Sequence, residues 1–362
     1  MKLLYIQPIF TSYRKQLALD ISKSYELTIL CGQPKNGSGF KSPELPNIKV
    51  VNGHQKELLG GRLLLQHNVI KTIIQEKPDI VLTCANMRDI TYWCLLFLCR
   101  AKRIPVFSHG QGLYSKRKIN FINRVIYRTA VKLSYKYICY AAISKKSLVS
   151  AGCPTEKIFT ADNSIKFTAD ASNVTKTGNE SGVLFIGRLR NQCGIEELVT
   201  AAASARMKNQ DLTLHIIGTG ELEKNYREHY KEPWIHFYGA IYEDSEILKI
   251  SSKCRIGCYP GDAGLSVVHY FSLRLPPVVH NDISSHMGPE PSYIKDGVNG
   301  ITFHKRPDSS GLSEAIEKIW QMPHSEYIKL SNTAFAQYQS LNNPTMESKI
   351  LRILSSYKAK DN

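Results

Sequence analysis

The sequence predicts an α/β protein of two Rossmann-like, doubly wound parallel-sheet domains facing each other across a cleft. Three observations predict it. Short β-branched and aliphatic runs alternate with amphipathic stretches over almost the whole length, the order that specifies parallel sheets covered by helices. The cadence runs twice, and a stretch at 164–182 rich in Thr, Asn, Ser, Gly and Lys, without periodic apolar positions, separates the two series as a linker. The 362 residues, 43% hydrophobic and 22% charged, are enough for two domains with ample core.

In the first series strands are expected at 2–6, 26–30, 79–83, 104–108 and 137–142, with helical segments at 62–75 and 90–99. In the second they are expected at 183–186, 213–217, 235–238, 255–259 and 277–280, with helices near 195–206, 222–229 and 245–251. After Pro323 the chain reads helical, is broken by Asn342, Asn343 and Pro344, and ends in a polar KAKDN. The expected organisation is an N-terminal domain over 1–165, a C-terminal domain over 166–335 and a helical tail over 336–362. Such folds bind ligands on loops at the carboxyl ends of the strands.

Forty-seven Lys and Arg stand against thirty-one Asp and Glu, a formal charge of +16. Much of the excess is concentrated. Between Asp89 and Glu156 there is no acidic residue, whereas twelve cations, from Arg100 to Lys146, lie in that window. A field of that kind implies an anionic partner. The longest apolar run, 90–99, is about half of the roughly twenty residues a spanning helix needs. The start, MKLLYIQPIF, reads as a first strand and not as a signal peptide. The nine cysteines are scattered, with no C-x-x-C pair and no zinc spacing, and are expected to be reduced, mostly buried thiols of a cytosolic protein.

Several stretches form a succession more specific than any one of them. In the second half these are VLFIGRLRNQCGIEEL at 183–198, LHIIGTGELE at 214–223, FYGAIYEDSEILKISSKCRIGCYPG at 237–261, DAGLSVVHYFSLRLPPVV at 262–279 and GPEPSYIKDGVNGITF at 288–303. In the first half they are SHGQG at 108–112 and AGCPTEKIFTADNSI at 151–165. Together they resemble retaining glycosyltransferases of the GT-B architecture, of the family 4 type that assembles bacterial surface polysaccharide such as O-antigen or capsule.

The resemblance assigns roles that the residue types support. Gly187 and Arg188 end a strand, and a planar, permanently charged guanidinium suits a donor diphosphate. The family's second cation, five residues on, is here Cys193. Gly218 and Gly220 are expected to let backbone approach the donor nucleotide. Gly264, Leu265 and Ser266 open a helix expected to run to about Leu273, whose first amides would receive the distal phosphate. The family's two glutamates around this turn are replaced by Gly261 and His269. Asp262 is expected to take over the sugar contact and His269 a ribose hydroxyl, with Glu290 the nearest carboxylate, and a solvated loop glutamate its plain alternative. His109, in a glycine-flanked loop, is expected to reach the donor sugar or its leaving phosphate, so His109 and Arg188 are the catalytic candidates. Arg14, Lys116 and Arg117 are candidates for the acceptor.

From Lys118 to Ile138 apolar residues recur at helical spacing, and Arg124, Arg128, Lys132 and Lys136 fall every fourth residue. Phe121, Tyr127 and Tyr135 lie beside that stripe. The combination suits the anionic surface of an inner leaflet, and no nucleic-acid module accompanies it. The expected protein is a cytoplasmic glycosyltransferase of hexosyltransferase type, peripherally associated with the inner membrane. It would move a sugar from a nucleotide-diphosphate sugar, expected to be UDP-linked, to a lipid-linked glycan, with no cofactor and no metal. The alternatives are a non-catalytic nucleotide- or glycan-binding subunit of the same fold and a sugar-nucleotide epimerase.

Overall fold

Parallel strands buried on both faces are written as near-continuous apolar runs, and the first strand, Lys2–Ile9 (β1), is one of these. The computed structural model describes residues 1–34, 42–115, 118–169, 171 and 176–357. Two compact units result. Among the described residues the first holds 1–34, 42–162 and 345–357, and the second 163–344. The chain thus changes unit after Asp162, and the last helix belongs to the first unit while the one before it belongs to the second.

The first unit continues with Lys15–Ser22 (α1), Glu26–Gly32 (β2), Lys49–Asn52 (β3), Gln55–Leu58 (β4), Leu63–Gln66 (β5), Val69–Glu76 (α2) and Ile80–Cys84 (β6). Ile90–Ala101 (α3), Val106–Gly110 (β7), Phe121–Leu133 (α4), Lys136–Cys139 (β8), Ala142–Ser150 (α5) and Ile158–Thr160 (β9) follow. Seven strands form one parallel sheet in the order β3-β2-β1-β6-β7-β8-β9. Alternation across β1 sends Leu3 and Tyr5 to one apolar layer and Leu4 and Ile6 to the other. Asp89 caps α3 by accepting from the Thr91 amide at 2.9 Å, and Asn120 caps α4 by accepting from Asn123 at 2.8 Å.

The second unit contains Gly182–Ile186 (β10), Ile195–Arg206 (α6), Thr213–Ile217 (β11), Glu223–His229 (α7), Ile235–Gly239 (β12), Asp244–Ser251 (α8) and Cys254–Tyr259 (β13). Then come Ser266–Ser272 (α9), Pro277–His280 (β14), Ile301–Phe303 (β15), Ser310–Trp320 (α10) and His324–Leu341 (α11). Its six strands are also parallel, in the order β12-β11-β10-β13-β14-β15, around one large apolar core. The final helix, Met346–Leu354 (α12), buries Met346, Ile350, Ile353 and Leu354 in the first unit's core with Leu17 and Ile21 of α1.

Four expectations change. The helix expected at 62–75 is a strand followed by a shorter helix, because Leu59, Gly60 and Gly61 at positive φ turn the chain into an antiparallel hairpin of β4 and β5. The strand expected at 104–108 is displaced to Val106–Gly110, so His109 lies inside a strand and not in a loop. The helix carrying the basic stripe stops at Leu133, where Ser134 turns extended, and Lys136 sits on β8. The described residues of the stretch expected as a linker are built into the second unit, with Phe167 in its core and the Lys176 ammonium donating to the Ser251 and Cys254 carbonyls at 2.7 and 2.9 Å.

Candidate functional site

In a doubly wound sheet the loops part where strand order reverses, which leaves a crevice at the carboxyl ends. In the second unit this happens between β10 and β13. Gly187 and Arg188 leave β10 there, and residues 260–266 leave β13. The two loops are laced together. The Asp262 amide donates to the Gln192 carbonyl at 3.1 Å, and one Arg190 Nη2 lies 3.4 Å from the Asp262 carbonyl and 2.6 Å from Met287 Sδ. Arg188 and Arg190, both half-buried, act on the phenol of Tyr259 at the end of β13. Burial pushes that phenol up to about 12 against the pull of the two guanidiniums. Arg190 was not among the residues expected from the sequence. The signal was present in GRLR, because residues two apart in an extended segment share a side, and Leu189 between them is fully buried.

The turn at Gly264, Leu265 and Ser266 leads into α9, which ends at Ser272. Glu290 is brought to this turn: a methyl group built at Gly264 would stand 3.8 Å from its Oε2. Only 2% of Glu290 is exposed, and its Oε1 accepts from Asn163 Nδ2, so it is no solvated loop residue. Asp262 lies 3.6 Å from the Nε2 of His280, which stacks at 3.9 Å on His286. His286 accepts from the Ala263 amide at 3.1 Å and donates to the His280 carbonyl at 2.9 Å, which fixes a neutral tautomer and braces the loop from beneath. Burial, with the neighbouring His286 and Lys305, lowers His280 to about 3.

Four positions are set by the protein's own packing. Cys193 is fully buried, with Sγ 3.7 Å from Tyr226 Oη, so the second-cation position points into the core. At Gly261 a methyl group would stand 2.0 Å from the Gln192 carbonyl, so a glutamate there has no room. Gly218, at φ +146°, leaves 1.8 Å between a built methyl and the Gly187 carbonyl, and Gly220 faces Leu189 in the same way. These two glycines admit the protein's own 187–189 segment, which the Leu189 amide ties to the Thr219 carbonyl at 3.0 Å. His269 lies on α9, and burial pushes its imidazole down to about 4.

The first unit has its own reversal, between β1 and β6. Arg14 follows β1 and is buried, its guanidinium 5.3 Å from the Tyr13 ring centre, 5.6 Å from that of Tyr140, and 3.2 Å from Met346 Sδ. His109, at the end of β7, is 1% exposed and packs edge-on to Tyr140 at 4.5 Å. Neither ring nitrogen has a hydrogen-bond partner among the described residues, and burial together with the Arg14 cation holds the imidazole neutral, well below its usual range. Arg124, Arg128 and Lys132 are exposed on α4. The Lys136 ammonium instead covers the Phe159 ring at 4.5 Å and donates to Ser356 Oγ. Lys116 and Arg117 lie outside the described residues.

Residues 167–337 match the family profile described as "Glycosyl transferases group 1". The matched residues lie within the second unit. No curated protein matches the chain by sequence. Among solved structures, the whole chain shares its fold with Anabaena HepE, determined with UDP and glucose (17% identity, 99% of this chain and 100% of that one, TM-score 0.67). It shares it also with a Rickettsia africae glycosyltransferase (15%, 97% of each chain, 0.69) and with the lipopolysaccharide outer core galactosyltransferase WaaB (15%, 95% and 98%, 0.59). The fold is therefore GT-B, and Arg188, Arg190, Asp262, the Gly264 turn and Glu290 all fall inside the matched residues. No described helix is long and apolar enough to cross a membrane.

Proposed function

We propose that the protein transfers a hexose from a UDP-sugar to a lipid-linked glycan, with retention of anomeric configuration, in polysaccharide assembly at the cytoplasmic face of the inner membrane. The observation that carries this reading is the gathering of Arg188, Arg190, Asp262, the Gly264 turn and Glu290 at the strand-order reversal of a group 1 glycosyltransferase domain. HepE, similar over its full length, was determined with UDP-glucose, which supports a UDP donor.

In this reading Arg188 and Arg190 neutralise the donor diphosphate, and the backbone amides of the turn at 264–266, ahead of Val267, whose amide is already bonded to the Gly264 carbonyl, receive its distal phosphate. Charge that is fixed before the reaction need not reorganise as the leaving phosphate develops its own, so the scheme draws on guanidinium and amide donors and not on a metal. Asp262 and Glu290 are the sugar-hydroxyl acceptors, with His269 toward the ribose. Gly187, Gly218 and Gly220 shape the loops that hold Arg188. His109, neutral and with two buried nitrogens, suits a hydrogen bond to the transferred sugar or its phosphate, and Arg14 suits an acceptor phosphate. The closing of positions 193 and 261 by core and backbone favours a second reading, a non-catalytic binding subunit.

UDP release that requires acceptor separates the two readings. In the same preparation, Arg188→Ala should weaken UDP binding by about 1.5–3 kcal/mol, the range of charged hydrogen bonds, as read by calorimetry. His109→Ala should lower turnover while leaving the UDP dissociation constant in place. An unchanged UDP affinity in the arginine variant removes Arg188 from the site.

A further inference from the structure

The outer face of α4 holds more than charge. Phe121, Ile122 and Val125 are 78%, 65% and 45% exposed, and Arg124, Arg128 and Lys132 share that face. Phe121, Val125, Arg128 and Lys132, spaced four, three and four, form a single stripe, flanked by Arg124 on one side and Ile122 on the other. The opposite face fixes the helix to its unit through buried Ala130 and Val131, with Tyr127 and Leu133 packed on the same cores. The three apolar side chains occupy the first two turns and the cations continue for two more. No acidic residue lies on α4 or anywhere between Asp89 and Glu156.

We propose that α4 docks on an anionic bilayer by partial insertion, its first two turns entering the headgroup boundary and its cations lying on lipid phosphates. This rests on the reading of a lipid-linked acceptor and deepens it, because cations alone would give a surface contact that salt dissolves. Apolar side chains buried roughly 5–10 Å into the boundary add a part that salt does not screen. An acid-free face is matched to an anionic surface by charge, and exposed Phe, Ile and Val side chains at one end of it are matched to acyl chains, a pairing that nucleic acid does not reward.

The test uses the full chain and vesicles of phosphatidylglycerol mixed with phosphatidylcholine, or of phosphatidylcholine alone, in about 0.1 M and about 1 M salt, where the screening length falls from about 10 to about 3 Å. The parent should sediment with anionic vesicles and stay in part bound after the salt is raised. Phe121→Ser with Ile122→Ser and Val125→Ser should bind about tenfold more weakly in low salt and leave completely in high salt. Phe121→Trp should show a blue-shifted indole on anionic vesicles. Thermal unfolding of each variant reports folding, and UDP calorimetry reports the donor site. Complete release of the parent by salt, or an indole that does not shift, overturns insertion while the reading of a membrane surface stands. A parent that ignores every vesicle overturns both. A parent dimer that the serine substitutions dissociate, without vesicle binding, makes the face an interface between copies and overturns the proposal.

Discussion

Cys193 sits five residues after Arg188, where the family it resembles carries a cation facing the diphosphate, and its sulfur belongs to a sealed core beside Tyr226, whose hydroxyl donates to Glu196 at 2.8 Å. Cys193→Lys therefore should not restore a phosphate contact. Holding a buried lysine costs three or more pKa units, about 4 kcal/mol, and urea denaturation of the variant should show a loss of that order. A variant as stable as the parent with tighter UDP binding would place the position at the donor after all. At this scale the sequence was legible where chemistry is carried by a strand end. Arg188, Asp262 and the Gly264 turn are named through the resemblance, whose motifs sit at the strand ends that the βα cadence predicts, and Glu290 is brought to the same turn. Two positions resist for a physical reason: Cys193 and Gly261 are placed by the resemblance alone, whereas their burial depends on how the 190–194 loop packs against the end of β13. The supporting pair His280 and His286 carries no local signal, because its role comes from stacking between segments that only the fold brings together.

Loops at a strand-order reversal depend on the backbone that supports them. The 187–189 segment runs against 218–220, and at Gly218 there is no space for a Cβ. Gly218→Ala should cost about 2 kcal/mol or more, from a positive φ of +146° and a clash with the Gly187 carbonyl, and should also weaken UDP binding by moving Arg188. Gly297→Ala is the control: φ is +71° but nothing lies within 4 Å, so only the backbone preference of about 1–2 kcal/mol is lost. Denaturation with parallel UDP titration checks both, and equal effects at the two sites would deny that the glycine supports the loop. Element types in the strand–helix alternation were readable because apolar runs of four or five residues between turns have few other uses. Ends were less so. The spacing predicts a longer α4 because apolar residues continue at helical spacing into β8, and only the extended turn at Ser134, held by the Ser134 hydroxyl donating back to the Ala130 carbonyl at 2.8 Å, ends the helix there.

Across the whole molecule five histidines share one property. Burial lowers His109 well below its usual range, His215 and His269 to about 4, His280 to about 3, and His286 by a smaller margin. A histidine whose folded pKa is depressed leaves the unfolded chain with more bound protons below about pH 6.5, so folding stability falls as the solution is acidified toward the folded values. Each such group removes about 1.4 kcal/mol per pH unit in that window. Asp89 and Glu197, raised by burial, act in the opposite direction closer to the ordinary carboxylate range. Calorimetric scans should therefore show unfolding temperatures dropping between pH 7 and 5, and the drop should fall mainly on the second unit, which holds four of the five. A flat profile would mean that these imidazoles take up protons without unfolding. The doubling of the βα cadence was visible from the chain alone, but the return of α12 to the first unit was not, since its apolar face names no partner. That return has a consequence for synthesis. Leu17 and Ile21 of α1 leave the ribosome early, whereas the residues that cover them, Met346, Ile350, Ile353 and Leu354, come after the whole second unit of 163–344. At about 5–20 residues per second, the nascent first unit waits roughly 10–40 s with that layer open. During translation, the half of the molecule that begins first is therefore the half that finishes last.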